Sequence, residues 1–170
     1  MKKSLLTIFL LVFLAGCAST DIKSHVNPDL KGVTYKSILV DVKNTTFDYE
    51  DKLLADFCEE LVSRKVRCFT KDALLPPIKE YTSAQRAKIL GDHDIDGILI
   101  FDDLSGGGSS AYVRYDFYHV TLFDAMSGEK ALLIKVKTVA DGSPINMSDW
   151  VFIRSLIGNV MDEIDKSGLL

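Results

Sequence analysis

The sequence predicts an α/β fold: a βαβα unit in two or three layers, then a long antiparallel β-hairpin and a C-terminal helix, all built on one mixed sheet. Three observations carry this. The runs Ser37 to Val42 and Ile95 to Asp103 are short and almost continuously apolar, as strands buried on both faces are. Helical spacing of apolar residues fills the chain between them. Beyond residue 110 the pattern changes to alternation, with Ala111 to Phe123 and Ala131 to Val139 joined across a turn at Asp124 to Gly128.

In chain order, residues 18 to 35 are polar, mix Ser, Asn, Asp, Pro and Gly, and show no period, so they read as a tether. After the first strand, Asn44, Thr45 and Thr46 are of the type that caps a helix, and Tyr49 to Lys65 places Leu54, Phe57, Cys58, Leu61 and Val62 on one face. Its acids come early (Asp48, Glu50, Asp51) and Arg64 and Lys65 end it, in keeping with the helix dipole. Val66 to Phe69 follows as a second strand. Pro76 and Pro77 interrupt the chain before a shorter helix from Ser83 to Leu90. At the far end, Ser148 is placed to cap a helix whose Trp150, Ile153, Ile157, Val160 and Ile164 follow a three-four spacing, which predicts that Trp150 is buried against the sheet.

The first residues have a different character. Lys2 and Lys3 precede an apolar run from Leu5 to Leu14, shorter than the roughly 20 residues a bilayer-spanning helix needs. A charged start, a short apolar stretch and small residues before a cleavage point describe a secretory signal. Leu14-Ala15-Gly16-Cys17 resembles the lipobox of bacterial lipoproteins, in which the Cys thiol is diacylated, the signal is cut before it and the new amino end is acylated. The resemblance implies a signal peptide over residues 1–16, a lipidated Cys17 with tether over 17–35, and one α/β domain over 36–170. Two or more acyl chains hold a protein on a bilayer, each buried methylene contributing about 0.8 kcal/mol. Ala18 and Ser19 stand where inner-membrane lipoproteins commonly carry Asp, so the resemblance favours the periplasmic face of the outer membrane; a host with a single membrane would carry it on the outer face.

Cleavage before Cys17 leaves 154 of the 170 residues, enough for one domain with a proper core. Loss of Lys2 and Lys3 moves the net charge from -4 to -6. With no cluster of Lys or Arg to neutralise phosphates, the composition argues against nucleic acid as a partner. In an oxidising compartment Cys58 and Cys68, on a helix and the strand after it, are either disulfide partners or two small buried hydrophobes.

Candidate sites are few. Ser105-Gly106-Gly107-Gly108-Ser109-Ser110 offers amides that would cradle an anion, but lacks the Lys of a phosphate loop, and Asp102 and Asp103 precede it. It reads as a hairpin connection. The segment Gly91 to Gly97 gathers Asp92, His93, Asp94 and Asp96, without the ligand spacing of a calcium loop or a zinc site, and reads as a polar turn. His25 and His119 have no evident nucleophile beside them, and no GxSxG elbow occurs. Alternation places Tyr112, Arg114, Asp116 and Tyr118 on one side of their strand, an expected exposed row for a partner. No catalytic or metal residue is assigned, and no cofactor beyond the covalent diacylglycerol and N-acyl lipid on Cys17.

The segments LADFCEELVSRKVRCF (Leu54 to Phe69), ILGDHDIDGILIFDD (Ile89 to Asp103) and VTLFDAMSGEKALL (Val120 to Leu133) resemble the small α/β domain shared by the curli-secretion lipoproteins, the penicillin-binding-protein activator lipoproteins and the amino-terminal domain of TolB. With the closing helix they cover most of residues 35–170. This resemblance implies a periplasmic, non-enzymatic domain that binds another envelope protein as an adaptor or assembly factor. A small-ligand or glycan-binding lipoprotein is the leading alternative, and a hydrolase the third. Oligomeric state is left open by the sequence.

Overall fold

The computed structural model describes residues 19–43, 49–104, 109–110, 113–141 and 149–170. Cys17, the capping residues Asn44 to Thr46, most of the Gly/Ser loop, Tyr112 and Ser148 lie outside them, as does the side chain of Trp150. The elements are β1 (Ser19–Val26), β2 (Ser37–Lys43), α1 (Glu50–Ser63), β3 (Arg67–Thr70), α2 (Lys71–Leu74), α3 (Ser83–Asp92), β4 (Gly97–Asp103), β5 (Ser109–Ser110), β6 (Val113–Asp124), β7 (Lys130–Asp141) and α4 (Asp149–Ser167).

One mixed sheet holds the described strands in the order β1-β7-β6-β4-β2-β3, with β5 against β6. It is the predicted α/β arrangement with its C-terminal helix, and the sheet does not close into a barrel. β2 runs parallel to β3 and β4, and the remaining pairs are antiparallel. The chain steps from β2 through α1 to β3 on one side, then back through α3 to β4 on the other. Right-handed crossovers in opposite directions place α1 and α3 on opposite faces of the sheet. α4 returns to the face of α1.

The core lies under α1 and α4. Ile38, Val40 and Val42 of β2, Leu99 and Phe101 of β4, Val120 and Leu122 of β6 and Leu132, Ile134 and Val136 of β7 point to that face. Leu53, Phe57 and Leu61 of α1 and Ile153, Ile157, Val160, Met161 and Ile164 of α4 cover them. Phe57 meets Phe101 edge to face with ring centroids 5.0 Å apart. Gly97 sits where a Cβ would come within 3.2 Å of Leu122 and Tyr35, so the absence of a side chain sets how closely these pack.

The expectation of a tether over residues 17–35 is corrected over residues 19–26 and at Tyr35. Residues 19–26 form β1, an edge strand paired antiparallel to β7 from Ser19↔Val139 to Val26↔Leu132. Composition hid this strand because its helix-facing side is held by polar contacts as well as by Ile22. Thr20 lies 3.3 Å from the Ser155 hydroxyl of α4, and Ser24 donates to Glu163 at 2.5 Å. Tyr35 is also part of the domain: its side chain is buried and its N–H donates to the Leu169 carbonyl at 2.8 Å.

Local chemistry explains the other boundaries. α3 begins in a capping box, Thr82 with Gln85. α1 begins at Tyr49 without a side-chain cap and ends where Lys65 takes a left-handed conformation, φ 66°. The hairpin turn is held by Asp124, whose Oδ1 accepts from the N–H groups of Met126 and Ser127 and from the Ser127 hydroxyl, while Gly128 supplies φ 74°.

Candidate functional site

Of the row expected to be exposed on β6, the two members whose exposure the structure describes are buried. Asp116 is 2% and Tyr118 3% exposed, because this side of the strand is the one that α1 and α4 cover. Arg114 stands in β6 opposite Ala140, and Tyr112 is outside the described residues. Tyr118 shares a hydrogen bond with the Tyr49 hydroxyl, and Asp103 and Asp116 are buried in the same seam. Burial first, then Tyr49, Asp103 and Asp116, hold the Tyr118 phenol far above its ordinary range. The cluster ties α1 to the hairpin. Alternation put Asp116 and Tyr118 on a common side correctly, but it does not say which side a helix will take.

Cys58 of α1 and Cys68 of β3 are joined in a disulfide, with Cα atoms 5.3 Å apart. The acidic turn has its polar groups turned to separate tasks. Asp96 accepts from the backbone N–H groups of Lys36 and Ser37, His93 closes α3 and packs its ring against Phe69, and Asp94 holds a left-handed position, φ 50°. Among the described residues no group of three or more His, Cys, Asp or Glu side chains is arranged to hold a metal ion.

A site absent from the sequence reading lies on the other face. β2 and β4 are apolar on both sides, so Leu39 and Ile98 also need cover there, and α3 gives little because no residue of it is fully buried. The mismatch leaves a groove of about 530 Å³ between α3, the segment after β3 and the sheet. Leu39, Ile98, Leu75, Pro77 and Leu90 make its apolar surface, and Lys43, Lys71, Asp72, Lys79, Glu80 and Arg86 its charged rim. Asp41, nearly buried, pairs with Lys71 at 3.1 Å, and the Lys79 ammonium sits 4.8 Å from the Tyr81 ring centroid. Burial, then the charges of Asp41 and Asp72, raise the carboxyl of neighbouring Glu50 above its ordinary value. Among the described residues no Ser, Cys or His lines the groove. Its sequence signal is the imbalance between two-sided apolar strands and a mostly polar helix from Ser83 to Asp92.

A second concavity, about 490 Å³, lies between α1 and α4 on the opposite face. It is acidic, with Asp56, Glu59, Glu60 and Asp162 against Arg64 and Arg154. Arg64 is held in it by Asp165 and Glu60.

Fold and N-terminus together define a lipid-attached α/β domain. Residues 1–18 match the family described as the prokaryotic membrane lipoprotein lipid attachment site, so the chain is a membrane-anchored lipoprotein. None of the curated proteins matches the sequence. Among solved structures, the chain is similar in fold to PelC from Paraburkholderia phytofirmans, a dodecamer. A point variant of PelC superposes with a TM-score of 0.58 at 9% identity, over 84% of this chain and 96% of that one. PelC in another crystal form gives 0.57 at 10% identity, over 84% and 95%. At such identity the likeness is one of fold.

Proposed function

We propose that this lipoprotein resides on the periplasmic face of the outer membrane and acts there as a non-enzymatic adaptor or assembly factor that binds another envelope protein. Ala18 and Ser19 after the acylated Cys17 support the outer membrane. The groove between α3 and strands β2 and β4 carries the binding reading. Its apolar floor and rim of both charge signs suit an amphipathic segment of a protein. Among the described residues its lining holds no Ser, Cys or His, and the Lys71 amine is engaged by Asp41, which supports binding over hydrolysis. The dodecameric state of PelC adds self-association to the partners worth testing.

The test is a photo-activated crosslinking residue placed in the full lipidated chain at Leu75 or Leu90, with Met126 as an exposed control, irradiated in cells. The reading expects a reproducible adduct with one envelope protein, or with a second copy of the chain, from the groove positions alone. Equal yields from groove and control would overturn it. The second reading, a small ligand or glycan in the same groove, is favoured by the Tyr81 ring at the rim beside paired charges. It expects no protein adduct at Leu75 or Leu90 and a small ligand retained on native purification.

A further inference from the structure

We propose that the face of the sheet beside the lipid anchor, centred on Leu104, Phe117 and Lys137, is a second membrane contact that lies on the anionic leaflet holding Cys17. The inference rests on the lipid attachment site and the fold, and is independent of the groove.

Its first support is the length of chain between lipid and fold. Only Ala18 separates Cys17 from Ser19, the first residue of β1. Two extended residues reach no more than about 7 Å, so the start of β1 is held at the level of the lipid headgroups. A tether of nineteen residues, as composition suggested, would let the domain stand well away from the bilayer; this anchor does not.

Register then says what else is at that end. Asp21, two residues and about 7 Å along β1, is paired with Lys137 of β7, and Lys137 with Phe117 of β6. The Leu104 N–H donates to the Phe117 carbonyl at 2.7 Å, which places Leu104 beside them. These groups lie on the sheet face away from α1 and α4. Leu104 is 49% and Phe117 37% exposed, and the Lys137 ammonium is 5.6 Å from the Phe117 ring centroid. One row further from the anchor, Lys23, Lys135 and His119 are aligned across β1, β7 and β6. Apolar side chains among lysines that can extend toward phosphates are what an interfacial contact requires.

Charge separation is the second support. The chain after Cys17 is acidic overall, yet Lys23, Lys135 and Lys137 gather on this face, while Asp56, Glu59, Glu60 and Asp162 line the concavity on the opposite one. Each lysine near an anionic surface contributes about 1 kcal/mol, within a Debye length of about 8 Å. Asp21 and Asp102 lie on the lysine face as well, so the attraction of a bilayer below it is the excess of three lysines over two carboxylates, while the acids of the opposite concavity face away. Sheet twist of about 20° per strand turns β2 and the groove some 60° away from β7, so the groove stays open.

The experiment uses the full lipidated chain in vesicles of phosphatidylethanolamine with or without phosphatidylglycerol. A nitroxide is placed by Lys137→Cys on this face or by Asp162→Cys on the opposite one. Collision with a water-soluble nickel chelate is expected to be several-fold lower at position 137 than at 162 in phosphatidylglycerol vesicles. Joint Lys23→Glu and Lys135→Glu substitution should restore it. Equal nickel access at the two positions would overturn the proposal. Protection at 137 that persists after charge reversal would overturn recognition of the anionic leaflet. Groove crosslinking at Leu75 and Leu90 is unaffected by any of these outcomes.

Discussion

The hydroxyls of Tyr49, at the start of α1, and Tyr118, in the middle of β6, share a buried hydrogen bond across a sequence separation of 69 residues. It joins the βαβα half of the fold to the hairpin where Asp103 and Asp116 are also buried. Tyr118→Phe keeps the ring and removes this bond, with an expected cost of about 1–2 kcal/mol and a melting temperature lower by roughly 3–6 °C. Because the Tyr118 phenol is held far above its ordinary range, its ionisation in an alkaline ultraviolet titration should appear only with unfolding. Loss of that late step in the Phe variant is the check.

Removal of residues 19–26, with Cys17 and Ala18 joined directly to Asn27, should destabilise the domain strongly. It uncovers the β7 edge and takes away Ile22 and the bonds to Ser155 and Glu163. A tether would be removable without change in chemical denaturation, so an unaltered midpoint would show that β1 adds nothing to stability.

The Cys58–Cys68 bridge closes a loop of ten residues, and loop-closure entropy assigns it about 2–3 kcal/mol. The paired Cys58→Ala and Cys68→Ala variant, or the reduced protein, should unfold at correspondingly lower urea. Mass spectrometry under non-reducing conditions should find no free thiol in the chain after Cys17 is acylated.

Asp124 ties the hairpin turn to the start of the domain. The Ser127 N–H and hydroxyl and the Met126 N–H hold its carboxyl below the ordinary 3.8, helped by the Tyr35 hydroxyl, which donates at 3.4 Å. Burial and the charge of Asp124 in turn push Tyr35 up to about 12. A carboxyl depressed in the folded state stabilises above its unfolded value and loses that contribution as pH falls through the folded one. The stability gap between the natural chain and Asp124→Asn should be full above about pH 5 and narrow below pH 4. A gap constant from pH 6 to 3 would count against the linkage.

In the groove, Leu90→Glu should abolish capture of a partner while leaving the melting temperature within about 1 °C, since Leu90 is only half-buried. A large loss of stability would instead assign Leu90 to the core, and Leu75→Ser would then be the variant to read.

Much of this was legible from residues alone. Apolar runs located β2 and β4, helical spacing α1 and α4, and alternation the hairpin, because each pattern reports a local period and a buried side. The lipid attachment site is likewise written in a contiguous string. Tertiary structure decided the rest. Residues 19–26 are a strand only because β7 offers its edge and α4 offers Ser155 and Glu163, none of which is near in sequence. Asp116 and Tyr118 are buried because α4 returns to their face, whereas alternation defines two faces without naming the covered one. The groove exists because the cover that α3 supplies falls short of what Leu39 and Ile98 need, a difference between elements that no single segment contains. Sequence therefore determined which elements form and that the chain is anchored by lipid. Long-range packing determined which surfaces remain to meet a partner or the membrane, since exposure depends on what distant segments come to cover.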